Sequence, residues 1–165
     1  MKRTITVVLI CAVLMFGTMA ALGQAIQYPG PQISFERAIE IALERVGGGT
    51  VIEAEFDRER GVLVYDVEIR HDMREHDVRI DADTGEIIRH RHFAQTRQYP
   101  DPQISPVRAM EIAIERTGGG MVTELKLDRE RGVLVYEIEV KYDMREYDVR
   151  IDANTGEIIR FRRND

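Results

Sequence analysis

Few side chains in this 165-residue sequence could carry out covalent catalysis. Its only cysteine, Cys11, lies in an apolar N-terminal run, and its two serines, Ser34 and Ser105, each precede a predicted helix. A serine or cysteine nucleophile needs a free hydroxyl or thiol beside a base. The sequence therefore predicts a protein that is not an enzyme, with no catalytic residues and no cofactor.

All of the histidines lie in the first half of the chain, at His71, His76, His90 and His92. His90 and His92 are two residues apart, which places both on one face of a strand, and imidazoles gathered in this way could bind Zn²⁺, Ni²⁺ or Cu²⁺. A related second half of the chain carries at the same positions Tyr142, Tyr147, Phe161 and Arg163. Because three of these four are aromatic, flat rings packed on a sheet edge are the preferred interpretation, and a metal site is the alternative.

One short acidic segment, Asp81-x-Asp83-x-Gly85, resembles the start of a calcium-binding loop. Such a loop needs a bidentate glutamate at its twelfth position, where this sequence has His92. Aspartate, threonine and glycine at this spacing are also typical of a tight turn. We therefore predict a hairpin turn here.

Charged residues that alternate with apolar ones along the predicted strands are the remaining candidates for binding. They are expected to share one face of a sheet in each half of the chain. The candidates for contact with a protein partner are Glu53, Glu68, Arg70, Arg79, Arg89, Glu124, Glu139, Lys141, Arg150 and Arg160. Ion pairs between strands on a solvated sheet also explain such residues; the functional hypothesis is that two sheets lie side by side and form a concave polar surface.

The N-terminal residues 1–25 have the order typical of a secretory signal peptide, with Lys2 and Arg3 before an apolar run and small residues up to Ala25. An uncleaved membrane anchor is the alternative. Cleavage takes the net charge from −6 to −8, which argues against nucleic-acid binding. It also removes Cys11, so the mature chain needs no disulfide, and a bacterial periplasmic or secreted protein without stable membrane insertion is predicted.

The chain contains one unit twice, because 33–91 aligns without gaps onto 104–162 and most positions are identical. In each unit a helix follows a serine cap and ends at three glycines, after which the apolar period changes from helical spacing to two. Four strands joined by glycine-containing turns are expected to form an antiparallel meander. Tyr65 and Tyr136 fall at the apolar positions of this alternation and are therefore predicted to be core residues. The fold class is α+β, with two tandem modules that each pack one helix on a three- to four-stranded antiparallel sheet.

The order of these motifs resembles the PepSY domain. The resemblance rests on the helix, on strands at 65–67 and 136–138, and on Val-x-Ile-Asp-Ala-x-Thr-Gly-Glu-Ile segments at 78–87 and 149–158. It implies cystatin-like modules at 26–91 and 104–165, joined by a linker at 92–103. It also implies that the protein inhibits, regulates or chaperones a peptidase or another exported enzyme. The alternative function is an envelope metal-binding or stress-response protein that uses the histidine-rich first module.

Overall fold

Each half of the chain folds as one helix followed by four antiparallel strands, in a computed structural model that describes residues 30–94 and 100–164. The predicted signal peptide lies outside the described residues. The first half contains α1 Phe35–Val46, β1 Thr50–Glu59, β2 Val62–His71, β3 Arg74–Asp81 and β4 Ile87–Ala94. The second half contains α2 Pro106–Thr117, β5 Met121–Glu130, β6 Val133–Tyr142, β7 Arg145–Asp152 and β8 Ile158–Asn164.

Both helices begin and end at the residues that the sequence indicates. The Ser34 and Ser105 hydroxyls each accept a hydrogen bond from the backbone N–H three residues further on, at 3.2 and 3.1 Å. This geometry satisfies one of the N–H groups that have no partner within the helix. Gly47 and Gly118 end the helices with φ of 93° and 84°, a left-handed conformation that favours glycine. The prediction that both serines are helix caps is confirmed.

The strands of both halves join into one eight-stranded antiparallel sheet, in the order β4-β3-β2-β1-β5-β6-β7-β8. The expectation of separate three- to four-stranded sheets is therefore wrong. The halves meet where β1 pairs with β5, through Glu53 with Lys126, Ala54 with Leu125, and Glu55 with Glu124. Each half would otherwise expose the unpaired backbone of its first strand, and pairing the two strands satisfies those groups.

The helices pack on one side of this sheet and enclose a single apolar core that includes residues of both halves. The predicted alternation in β2 is confirmed, since Leu63, Tyr65, Val67 and Ile69 are all in this core. In β1 the alternation is interrupted by a bulge between Val51 and Glu53. The bulge places Val51 in the core under the helix, where strict alternation with Ala54 would place Ile52.

The two tyrosines at equivalent positions of the repeat are core residues, as predicted. The Tyr65 hydroxyl donates to the carbonyl of Ile33 at 3.0 Å, and that of Tyr136 donates to the carbonyl of Ile104 at 3.1 Å. Burial raises the pKa of Tyr65 to about 12. Each tyrosine therefore ties the segment before its helix to the middle of the sheet.

Residues at both ends of the predicted linker at 92–103 form regular backbone hydrogen bonds. β4 continues to Ala94, because His92 pairs with His76 and Phe93 pairs with Glu75. At the other end, the N–H groups of Gln103 and Ile104 donate to the carbonyl of Ala153 at 3.0 and 3.1 Å. Backbone hydrogen bonds therefore hold both ends of this connection.

Candidate functional site on the open face of the sheet

The side of the sheet opposite the helices, here called the open face, carries two rows of charged side chains that cross all eight strands. Residues paired directly across antiparallel strands point to the same face, so the register gives each row. The first row is Arg89, Arg79, Asp66, Glu55, Glu124, Glu139, Asp148 and Arg162. The second row is Arg91, Asp77, Glu68, Glu53, Lys126, Glu137, Arg150 and Arg160.

Charge is distributed unevenly along these rows. The four central strands contribute what we call the acidic stripe, which is Lys126 together with Asp66, Glu68, Glu53, Glu55, Glu124, Glu137 and Glu139. The outer strands contribute two arginine margins, one of Arg79, Arg89 and Arg91 and the other of Arg150, Arg160 and Arg162. The open face therefore alternates basic, acidic and basic across the sheet.

Two arginines of the first margin are held in place by carboxylates. Arg79 donates to both carboxylate oxygens of Asp66, each at 2.7 Å, and also pairs with Glu59. Arg89 Nη2 lies 3.0 Å from an Asp77 oxygen and 3.4 Å from an Asp66 oxygen. Bidentate pairs of this kind fix the guanidinium geometry as well as adding electrostatic energy.

The second margin repeats part of this arrangement. Arg150 bridges Glu130 and Glu137, with nitrogen to oxygen distances of 2.7 and 2.8 Å. Arg162 lies 2.8 Å from Asp148. The opposite charges in these pairs largely neutralise each other. The pairs therefore fix the positions of the side chains and leave little unpaired charge for a partner.

Arg160 differs from its counterpart Arg89. It is exposed and forms no ion pair with a residue in the described ranges, whereas Arg89 contacts two carboxylates. It lines a shallow depression of about 150 Å³, together with Glu124, Glu137 and Glu139 of the acidic stripe. This part of the open face therefore places an exposed arginine beside three carboxylates, of which Glu137 is also paired with Arg150 and Glu139 with Lys141.

The middle of the acidic stripe holds more negative charge than the nearby cations neutralise. Burial raises the pKa of Glu124, and the charges of Glu53, Glu55 and Glu139 raise it further, against the lowering effect of Lys126. The Lys126 ammonium is 3.7 Å from Glu53 and is the only cation that the two central strands contribute to the rows. The stripe is therefore electrostatically suited to a cationic ligand.

The structure places eight of the ten predicted contact residues in the two rows, and the exceptions are Arg70 and Lys141. The Arg70 side chain is 10% exposed, and its Nη2 lies 2.9 Å from Asp101, which also accepts from Thr50 at 2.6 Å. Arg70 and Thr50 therefore fasten the segment before α2 to the end of β2 and to the start of β1. Its counterpart Lys141 is 54% exposed and lies 3.4 Å from Glu139.

Eight residues of the rows were not among the ten predicted contacts, and four of these lie on the outer strands, namely Arg91, Asp77, Asp148 and Arg162. Their strands were recognised, and the same alternation continued along β3, β4, β7 and β8 would have found them. Their ion pairs depend on the register between strands, which the alternation within one strand does not give.

The carboxylates themselves do not indicate a metal site. In the described ranges, one group of three has ligand atoms within 4.8 Å of one another, formed by Glu139, Glu146 and Asp148. Lys141 lies 3.4 Å from Glu139, and the amide of Asn164 donates to Asp148 at 2.9 Å. Two of these three carboxylates are therefore already engaged by cationic or hydrogen-bond-donating side chains of the protein.

The histidines lie on the helix side of the sheet, beside the last turn of α1. His76 Nδ1 and His90 Nε2 are 3.1 Å apart, and Arg45 Nε donates to His90 Nδ1 at 3.2 Å. Ring centroids of His71 and His92 lie 6.5 and 6.0 Å from that of His76. Burial lowers the pKa of both His76 and His90, and the neighbouring cationic groups lower it further.

In the second half, the same positions hold a stack of rings. Tyr147 and Phe161 stack with centroids 5.6 Å apart, and the Arg116 guanidinium lies 4.1 Å from the centre of the Phe161 ring. The prediction that these positions bring flat rings together is confirmed by this stack and by the histidine pair.

A comparison with known families agrees with the repeat. The family described as "Peptidase propeptide and YPEB domain", or PepSY, matches residues 32–91 and again residues 103–162. The chain belongs to the PepSY family. The two matches correspond to the two helix-plus-four-strand halves of the sheet.

Two proteins of Bacillus subtilis align with about three quarters of the chain. The chain is 33% identical over 126 residues to the protein YkoJ of Bacillus subtilis (strain 168), which covers 76% of this chain and 72% of YkoJ. It is 28% identical over 124 residues to the membrane protein YkoI of the same organism, covering 74% of this chain and about half, 52%, of YkoI.

The fold is also found in a crystal structure of a protein described as a lipoprotein from Clostridium difficile 630. The two structures superpose with a TM-score of 0.50 at 23% identity, over 84% of this chain and 98% of that one. Neither α1 nor α2 nor any other helix within residues 30–94 and 100–164 is long and apolar enough to cross a membrane.

Proposed function

We propose that this PepSY protein is exported and that it binds another exported protein through the open face without catalysing a reaction. The partner is a peptidase or another exported enzyme, whose activity or folding it controls. The family description, which refers to peptidase propeptides, supports this partner class. The descriptions of YkoI as a membrane protein and of the structural neighbour as a lipoprotein support a location in the cell envelope.

The observation that carries the proposal is the alternation of charge across the open face. A surface that only needed solubility would mix charges of both signs. Here seven carboxylates gather on the four central strands, while six arginines lie on the four outer ones. A partner that fits would present basic side chains to the acidic stripe and acidic ones to the arginine margins, and such complementarity determines register and association rate.

Reversing charge in the acidic stripe tests this proposal. The Glu68→Lys/Glu124→Lys variant should no longer cross-link to partners from an envelope extract. The wild-type protein should capture less of these partners as the salt concentration is raised. The matched control is Glu40→Lys/Glu111→Lys, which makes the same charge change on the outer faces of the helices, where both residues are more than half exposed.

Partners identified by mass spectrometry would then be purified and measured individually. If the partner is a peptidase, adding the protein should change its activity or its yield on refolding, and the stripe variant should not. Equal binding by the stripe variant and the helix-face control would contradict a role for the open face. The absence of any salt-sensitive partner would contradict protein binding itself.

A further inference from the structure

The histidine cluster lies outside the open face and is not used by the proposed binding function. Its members come from the end of β2, from β3 and from β4, and they surround His76 on the helix side of the sheet. Centroid separations from His76 are 5.4 Å to His90, 6.0 Å to His92 and 6.5 Å to His71. His76 and these three neighbours form a set of four imidazole donors in the first half alone.

The nitrogen atoms of the central pair already have the separation of two ligands on one ion. Imidazole nitrogens bind zinc at about 2.0 Å, so two of them on a tetrahedral ion stand about 3.3 Å apart. His76 Nδ1 and His90 Nε2 are 3.1 Å apart. An ion can therefore replace the proton between them after a movement of a few tenths of an ångström.

A third imidazole is available from the facing strand position. His92 is the direct cross-strand partner of His76, and it is exposed at the edge of the sheet, where its ring can rotate without displacing core residues. His71 is 30% exposed and lies further away, beside Asp72. We propose that His76, His90 and His92 bind a divalent transition-metal ion of the Zn²⁺, Cu²⁺ or Ni²⁺ class, with the remaining coordination positions open to water.

The type of donor determines which ions fit. Neutral imidazole suits zinc, copper and nickel, whereas calcium and magnesium require oxygen ligands. The carboxylates of the two charged rows point to the opposite face of the sheet from these three rings. Calcium and magnesium should therefore not compete at this position.

Arg45 opposes the ion in this arrangement. Its Nε–H donates to His90 Nδ1, which keeps the proton of neutral His90 on Nε2, the atom that faces His76. A metal on Nε2 requires that proton to move to Nδ1 or leave, and Arg45, which is exposed, must then turn away. Removing the arginine side chain should therefore strengthen metal binding.

Titration calorimetry of the untagged chain from residue 26, with Zn²⁺, Cu²⁺ or Ni²⁺ alone, tests the site. The expected result is one ion per chain with a micromolar or tighter Kd, and no heat with Ca²⁺ or Mg²⁺. The repeat supplies substitutions that its own fold accepts, because Tyr147 and Phe161 occupy the positions of His76 and His90. His76→Tyr and His90→Phe should each weaken binding by at least about 10-fold.

Two further variants make the test specific to this geometry. Arg45→Ala should tighten binding about 10-fold or less, since it removes a competing donor and a positive charge. Tyr147→His, in the second half, should leave the affinity and stoichiometry unchanged. A millimolar Kd for all three ions, or an unchanged Kd in the His76→Tyr/His90→Phe double variant with wild-type circular dichroism, would overturn the proposal. Neither result depends on the open face.

Discussion

The two halves of the protein share one backbone plan and differ most in chemistry where the last turn of each helix meets the sheet. In the second half Arg116 lies over the Phe161 ring, which stacks on Tyr147. In the first half the corresponding Arg45, His90 and His76 are joined nitrogen to nitrogen. Stacked rings and hydrogen-bonded rings fill the same space, so the scaffold accepts either, but only the imidazoles carry nitrogen lone pairs for a ligand.

A second difference between the halves lies at their junction. Glu55 of β1 and Lys126 of β5 are equivalent positions in the repeat, yet one is acidic and the other basic. As a result Glu53 faces a lysine at 3.7 Å, whereas its counterpart Glu124 faces Glu55. Two nearly identical units therefore create an asymmetric centre on the open face.

The largest expected effect concerns whether the halves are independent at all. Ile39 and Met110 are equivalent helix residues, each about 1% exposed or less. Ile39→Ala or Met110→Ala should each lower the free energy of unfolding by about 3 kcal/mol, because a cavity remains. Since one core and one sheet span both halves, denaturation should remain a single transition in both variants. Two separate transitions, followed by circular dichroism in urea, would show that the halves unfold independently.

The turns between the last two strands of each half should behave alike. Asp81 Oδ1 accepts hydrogen bonds from the N–H groups of Asp83 and Thr84 at 2.9 and 2.8 Å, and Asp152 does the same in the second half. Asp81→Ala and Asp152→Ala should each cost about 1 kcal/mol, measured by urea denaturation. A stability difference between them well above that value would break the equivalence of the halves, and Asp83→Ala serves as a control with its side chain outside these bonds.

Substitutions of the arginines at the two helix ends should change stability by less, and they compare the ring stack of the second half with the histidine pair of the first. Arg116→Ala should lower stability by about 0.5–1 kcal/mol, because a cation lying over an aromatic ring is lost. Arg45→Ala should cost less, since it loses a single exposed hydrogen bond to a histidine. Thermal melting of both variants in metal-free buffer would test this order, and equal losses would show that the ring stack adds nothing.

The smallest expected effect is a pH dependence at the junction. The pKa of Glu124 in the folded protein is raised above its usual value by burial and by neighbouring carboxylates, so its ionised form costs stability at neutral pH. That cost is relieved as the pH falls through the folded pKa, and it is absent below the unfolded pKa of about 4.5. Glu124→Gln should raise stability by a few tenths of a kcal/mol at pH 7 and leave it unchanged at pH 4.

The matched variant at the other end of the junction is Glu53→Gln. Because Lys126 lies 3.7 Å from Glu53, this substitution should give no gain at pH 7. Urea denaturation at pH 4, 5.5 and 7 separates the two. An equal gain for both variants would show that Lys126 does not distinguish the two glutamates.

Local structure followed closely from the sequence. The serine caps, the glycine stops and the alternation in β2 are each determined by residues within a few positions of one another. The bulge between Val51 and Glu53 could not be predicted in this way, because Val51 and Ile52 are both apolar and either could have faced the core. The extension of β4 to Ala94 depends on pairing with β3 across the turn, so composition alone suggested an earlier end.

The candidate sites were predicted in part. Alternation identified most of the charged residues on the open face, but Arg70 shares that alternation and its guanidinium instead binds Asp101. The sequence could not reveal this contact, because the two residues are far apart in the chain and meet through the connection between the halves. The histidines were identified as a set, but the 3.1 Å approach of His76 and His90 follows from the register of β3 and β4.

By itself, the sequence determined that one helix-plus-meander unit occurs twice and, apart from the bulge in β1, which side of β2 lies inside, since periodicity and caps are local properties. Only the tertiary structure decided that the units join through β1 and β5. That junction places the acid-rich first two strands of both units, β1, β2, β5 and β6, side by side and moves the arginines to the margins. The physical reason is that an unpaired strand edge can bond to any other edge, and the choice among edges depends on the packing of the whole core rather than on any one segment.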